Sequence, residues 1–196
     1  MLNKFEGFNK NLSPQGRLLA AALSGVLIFL SFPKFGNGLI AWFALAPLFY
    51  ALKNGTPSTG FKSGFVTGLI AHTAIFYWIS LVAVQYGRLP LYAGIITMLV
   101  LSAYLSLYTA FFGAGFVFLR KRWNNPFLIA PLLWTILEFV RSRIFTGFPW
   151  ETLAYSQYLN KNIIQLADIT GTYGISFLIV LVNLAIFETL NQGIKN

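Results

Sequence analysis

The chain has 196 residues, of which 57% are hydrophobic and 10% charged, with a mean hydropathy of +0.68. Soluble domains carry about 25% charged residues because water must wet their surface, so this composition excludes a soluble globule and points to a bilayer as solvent. The net charge of +9 is spread through breaks between apolar runs, which argues against nucleic-acid binding; the lack of Cys excludes disulfides and cysteine nucleophiles, and a single His, His72, argues against a metal centre.

Residues up to Gln15 are polar and carry Lys4 and Lys10. Ser13-Pro14 reads as a helix start, with Ser as cap and Pro at the first helical position. The first apolar segment, near 14–31, is as short as a signal-peptide core, but no small-x-small cleavage site follows it, so it is read as an uncleaved membrane segment. The second, near 36–53, contains Pro47. Both are short for a bilayer core that needs about 20 helical residues, so they form either two compact spans or a hairpin. Segments near 63–84 and 89–119 are uncharged. The latter is longer than one untilted span requires, and Arg120-Lys121-Arg122 ends it. Two more follow, near 126–145 and 170–189. The expected fold is an all-α integral membrane protein, a single bundle over 1–196 of about six segments.

Basic residues suggest the orientation. With the N-terminus inside, the inner breaks hold nine, Lys4, Lys10, Arg17, Lys53, Lys62, Arg120, Lys121, Arg122 and Lys195, against five outside, Lys34, Arg88, Arg141, Arg143 and Lys161. The bias favours both termini inside. Two helix faces carry small residues every four positions: Gly60, Gly64 and Gly68, continuing to His72, and Ser102, Ser106, Ala110 and Ala114. These read as seams for close helix packing.

Polar chemistry collects in Arg141 to Gln157, RSRIFTGFPWETLAYSQ, on the expected outer side. The candidate lipid-binding residues are Glu138, Arg141, Arg143, Phe148, Pro149, Trp150, Glu151, Tyr155 and Gln157. Glu138 and Arg141 are three apart on one helix face and can pair; ionisable groups in a membrane segment are costly and suggest function, although an anchoring ion pair explains them equally well. Gly147 and Pro149 turn the chain, and Trp150 suits headgroup depth, with a plain aromatic belt as the simpler explanation. Arg143 and Arg141 could hold a lipid phosphate or neutralise Glu138, Glu151 and Asp168. His72 is expected to hydrogen-bond a neighbouring helix, Asn162 to Ala167 to lie along the surface, and Glu188 to be solvated.

Specific stretches carry a family resemblance. Leu30-Ser31-Phe32-Pro33 with Phe35-Gly36, Trp42 and Ala44-Leu45-Ala46-Pro47-Leu48 form one; Ala103 to Thr109, AYLSLYT, forms another. The most specific is Trp134, Glu138-Phe139, Arg141, Thr146-Gly147-Phe148-Pro149-Trp150 and Ala154-Tyr155-Ser156-Gln157, continued by Gln165, Ala167-Asp168, Gly171 to Phe177 and Asn183. Together they resemble the membrane part of the bacterial apolipoprotein N-acyltransferases. That resemblance implies a multi-pass protein of the bacterial inner membrane with 141–157 on the periplasmic side. It implies acyl transfer from a membrane phospholipid to the α-amino group of a diacylglyceryl-cysteine on a lipoprotein substrate, through a thioester on a Glu-Lys-Cys triad, with no cofactor or metal. In the family that triad lies in a nitrilase-like domain beyond a seventh span. The sequence stops after its sixth segment, so no catalytic residue can be placed within it. It is expected to be inactive alone and to work with a nitrilase-like chain made separately. The competing expectation is a non-catalytic lipid-binding or scaffold protein, with a transporter third.

Overall fold

A computed structural model describes residues 12–123, 125–145 and 147–192, and every described regular element is helical. The expected positions Lys4, Lys10, Lys195 and Thr146 lie outside the described residues. Helix α1 spans Pro14–Ser31, and Ser13 caps it by accepting from Gly16 N–H at 3.1 Å. A 3-10 turn, Gly38–Ile40, leads into two short helices, α2 (Ala41–Ala44) and α3 (Ala46–Leu52). Helices α4 (Pro57–Ile75) and α5 (Tyr77–Gln85) meet at a 46° bend, and α6 runs over Leu91–Arg120. Helix α7 (Pro126–Arg141), a 3-10 turn (Leu153–Gln157), α8 (Lys161–Ile164) and α9 (Ala167–Gln192) complete the chain.

Among the described residues, three helices (α1, α6 and α9) are long and apolar enough to cross a membrane, and a fourth span is added if α4 and α5 count as one. The second and fifth expected segments correspond to shorter helices: the broken hairpin 38–52 and the 16-residue α7. Proline starts explain several boundaries. Pro14, Pro57 and Pro126 sit at helix starts, where their missing N–H would have had no partner anyway.

The two small-residue faces meet each other. Gly60 lies against Gly113, Gly64 against Thr109 and Ala110, and Gly68 against Ser106, so a Cβ on any of the three would collide with α6. Gly64 to leucine should force α4 and α6 apart and cost about 1–3 kcal/mol or more. A lowered melting temperature in detergent is the expected readout, and an unchanged one would show that the helices are not in contact. The register also brings His72 Nδ1 to 3.3 Å from Ser106 Oγ, the inter-helix bond expected of that residue. Helix α1 joins the same pack: Thr67 Oγ1 donates to the Ala21 carbonyl at 2.9 Å.

The core around Phe49, Phe112, Phe116 and Leu184 is fully buried. Phe49 and Phe116 cross edge to face with ring centres 5.3 Å apart. The hairpin reaches this core because α9 repairs its broken backbone. Pro47 cannot donate to the turn before it, and α2 and α3 part at Leu45. Asn183 fills that break: its Oδ1 accepts from Leu45 N–H at 2.7 Å and Ala46 N–H at 3.2 Å, and its Nδ2 donates to Ala41 O at 2.8 Å and Ile179 O at 2.9 Å.

Glu188 corrects an expectation. It is 8% exposed, and Arg120 donates to it at 2.8 Å, with the guanidinium lying near the Phe116 and Phe187 rings. A carboxylate this covered needs a cation, and the basic cluster that ends α6 supplies one.

Candidate functional site

The residues singled out in 138–157 gather at the bundle end opposite Arg120, but in three different settings. Around one cavity lie Glu138, Arg141 and Glu151, with His72 and Tyr108 from α4 and α6 and Trp134 one turn before Glu138. Glu138 is buried. Its Oε1 accepts from Trp134 Nε1 at 2.9 Å and from Leu153 N–H at 2.8 Å, so the carboxylate ties the 3-10 turn to α7.

Arg141 is 5% exposed, and its Nη2 donates to Trp150 O at 3.1 Å and Glu151 O at 2.9 Å. The direct Glu138–Arg141 pair expected from their spacing does not form; each side chain reaches instead into the segment after the turn. Two arginines in one short stretch thus differ: Arg141 fixes backbone, while Arg143 is exposed, with its guanidinium 5.2 Å from the Phe139 ring centre.

Glu151 has φ of 62°, a left-handed conformation that an L side chain adopts at a cost of about 1–2 kcal/mol. The Arg141 bond to its own carbonyl helps hold it there. Its Oε2 lies 3.9 Å from His72 Nε2. Burial pushes this carboxyl up to about 8; Arg141 opposes the shift and Glu138 adds to it. The folded chain therefore keeps a proton that the unfolded chain releases from about pH 4.5 upward. Stability is greatest below that range and falls as pH rises toward about 8, by at most about 1.4 kcal/mol per pH unit. Melting temperatures taken across this window should decline, and Glu151→Gln should flatten the decline.

The second setting is aromatic. Phe148 packs edge to face on Phe76, at the bend between α4 and α5, and on Trp150, with centres 5.3 Å and 5.4 Å apart. Trp150 is 55% exposed and lies 6.3 Å from Trp78. Pro149 is exposed between them, and Gly147, with φ of 80°, makes the preceding turn against the Ser142 carbonyl. Beside this cluster opens a groove of about 650 Å³, lined by Phe32, Phe76, Trp78, Tyr155 and Glu151 with Lys34 at its edge. Lys34 Nζ sits 4.1 Å from the Tyr77 ring centre. Lys34 and Phe76 carry no motif of their own, and only the folded chain brings them to Tyr155.

Gln157 belongs to the third setting. It is 1% exposed; its Nε2 donates to Gly38 O at 2.8 Å and its Oε1 accepts from Trp42 Nε1 at 3.1 Å. It locks the outer segment to the start of the hairpin and faces neither the cavity nor the aromatic groove. Among the described residues no group of three or more His, Cys, Asp or Glu could hold a metal ion.

Residues 24–185 match the family described as apolipoprotein N-acyltransferase N-terminal domain. Over 179 residues the chain is 45% identical to an apolipoprotein N-acyltransferase of Geobacter metallireducens, a match covering 90% of this chain and 34% of that protein. It is 32% identical over 184 residues to one from Thermotoga maritima, covering 89% and 36%, and 31% identical over 172 residues to one from Pasteurella multocida, covering 87% and 32%. The chain spans about a third of the length of these curated relatives.

Proposed function

Because the chain belongs to the apolipoprotein N-acyltransferase N-terminal domain family, we propose that it is the membrane part of such an acyltransferase. It presents a membrane phospholipid to a nitrilase-like catalytic domain lying outside these residues, which passes the acyl chain to the N-terminal diacylglyceryl-cysteine of a lipoprotein. The six helical segments lie in the bacterial inner membrane with both termini inside, and 141–157 faces the periplasm. The basic-residue bias along the sequence supports this orientation.

The observation that carries the reading is the open groove walled by Phe32, Phe76, Trp78 and Tyr155, with exposed Trp150 beside it and Lys34 at the rim. Apolar walls suit an acyl chain, and a lone ammonium at the edge suits a phosphate. Burial of Arg141 moves the phosphate-binding role to Lys34, with exposed Arg143 as a second cation on this side. Glu138, Arg141 and Gln157 shape the groove from behind by fixing the segment that bears Trp150 and Tyr155.

The test is co-expression with a nitrilase-like domain in cells depleted of their own enzyme, followed by mass spectrometry of lipoprotein N-termini. N-acylated lipoproteins are expected, and their loss in Trp150→Ala together with Lys34→Ala would tie them to the groove. Co-purified phospholipid without any acylation would instead support a non-catalytic lipid-binding role.

A further inference from the structure

The cavity behind the groove has chemistry of its own, independent of any acyl transfer. Three polar atoms that line it, Glu138 Oε2, Arg141 Nε and Glu151 Oε2, are buried and have no protein hydrogen-bond partner. Left dry in an apolar bundle, each would carry an uncompensated desolvation penalty. The space measures about 40 Å³. By this measure one water needs about 10–15 Å³, so roughly three fit. Phe32 and Glu151 line both this cavity and the open groove, which gives water a short way in.

Hydrogen-bond direction constrains the protons. Ser106 Oγ donates to the Ser102 carbonyl at 2.5 Å, so at His72 Nδ1 it can only accept. His72 therefore carries its proton on Nδ1 and turns the Nε2 lone pair toward Glu151 Oε2, 3.9 Å away. Two acceptors would oppose each other there unless Glu151 is a carboxylic acid. A second proton on His72 would place an imidazolium beside Arg141, the one cation among the described residues that line the cavity. The groups that face Glu151 are thus His72 from α4, Tyr108 from α6, Glu138 and Arg141 from α7, and, on the groove side, Lys34, Tyr77, Tyr155 and Tyr158. Tyr108 is engaged with Tyr104, hydroxyl to hydroxyl at 2.7 Å.

We propose that this cavity is a hydrated proton site, in which bound water joins Glu138, Arg141 and Glu151 and one proton is shared between the two carboxyls while Arg141 balances the remaining negative charge. The bundle interior is then neutral, as a low-dielectric medium demands. Its ligands are water and a proton from the outer face, and loss of that proton leaves an uncompensated negative charge directly behind the Trp150 segment.

Infrared spectroscopy of the purified full chain in detergent tests this, because the other carboxyl side chains are few. Asp168 is exposed, Glu188 is paired with Arg120, and Glu6 lies outside the described residues. At neutral pH the spectrum should contain the carbonyl stretch of a protonated carboxylic acid. The band should shift soon after transfer to D2O, well before helix-core amides exchange. E151Q should abolish it, since Glu138 then faces Arg141 with no competitor and ionises, whereas E138Q should keep it, because Glu151 still faces the His72 Nε2 lone pair. A band that persists in E151Q would mean that Glu138 is protonated independently, and the shared proton is wrong. No band in the unsubstituted protein would overturn the site as a whole, and a band that resists D2O would overturn its hydration. Far-ultraviolet circular dichroism checks folding, and if E138Q does not fold, E151Q decides the question alone.

Discussion

Arg141→Met should lower stability by about 3–5 kcal/mol, the range seen when one partner of a buried ionic group is removed. Two losses add. Glu138 and Glu151 keep their buried positions without the cation of their cavity, and the carbonyls of Trp150 and Glu151 lose their shared donor. The left-handed backbone at Glu151 then has one restraint fewer, so the segment from Phe148 to Leu153 should detach before the helices separate. Limited proteolysis should cut the variant within this segment under conditions that leave the unsubstituted protein intact. Arg141→Lys should fall between the two, because an ammonium retains the charge but not the planar guanidinium fork. A methionine variant that melts and resists protease normally would show that Arg141 is dispensable to the fold.

Asn183→Leu is expected to be about as damaging, at about 3 kcal/mol or more, although the two side chains have the same number and branching of heavy atoms. The carboxamide makes four hydrogen bonds, three of them to the break in the hairpin. Leucine would leave Ala46 N–H without a partner and Leu45 N–H with only the Phe43 carbonyl two residues before it, in an apolar setting, at about 1–3 kcal/mol each. Hydrogen exchange reports this directly: the amides of Leu45 and Ala46 should become unprotected while those of α6 stay slow. Continued protection at Leu45 would mean that the hairpin holds itself.

Much of the scaffold was legible in the sequence because its determinants are local or periodic. Ser13-Pro14 announces a helix start through the chemistry of its own backbone, and Pro126 opens the fifth expected segment, whereas α4 begins at Pro57, ahead of the expected start near 63. Small residues every four positions identify both faces of the α4–α6 seam, and that register then places His72 beside Ser106. Other features left no such trace. Arg141 bonds to main-chain carbonyls, and every residue type carries one, so nothing in the sequence marks the acceptors. Glu138 and Arg141 have the spacing of a pair, yet both turn toward the following segment. Arg120 and Glu188 are 68 positions apart, and only packing brings them together. The bend between α4 and α5 falls at Phe76, with neither Gly nor Pro to signal it, and it places Phe76 under Phe148.

The hairpin's dependence on Asn183 also sets an order of events in biosynthesis. The donor at Leu45 and its acceptor lie 138 positions apart, so the break around Pro47 enters the membrane long before α9 exists. At translation rates of about 5–20 residues per second, the interval is roughly 7–30 s. During that time the hairpin must borrow partners from water, from lipid headgroups or from the insertion machinery. Ribosome-bound chains of increasing length should therefore form a 45–183 crosslink only after α9 has emerged, and position 45 should stay open to aqueous labels until then.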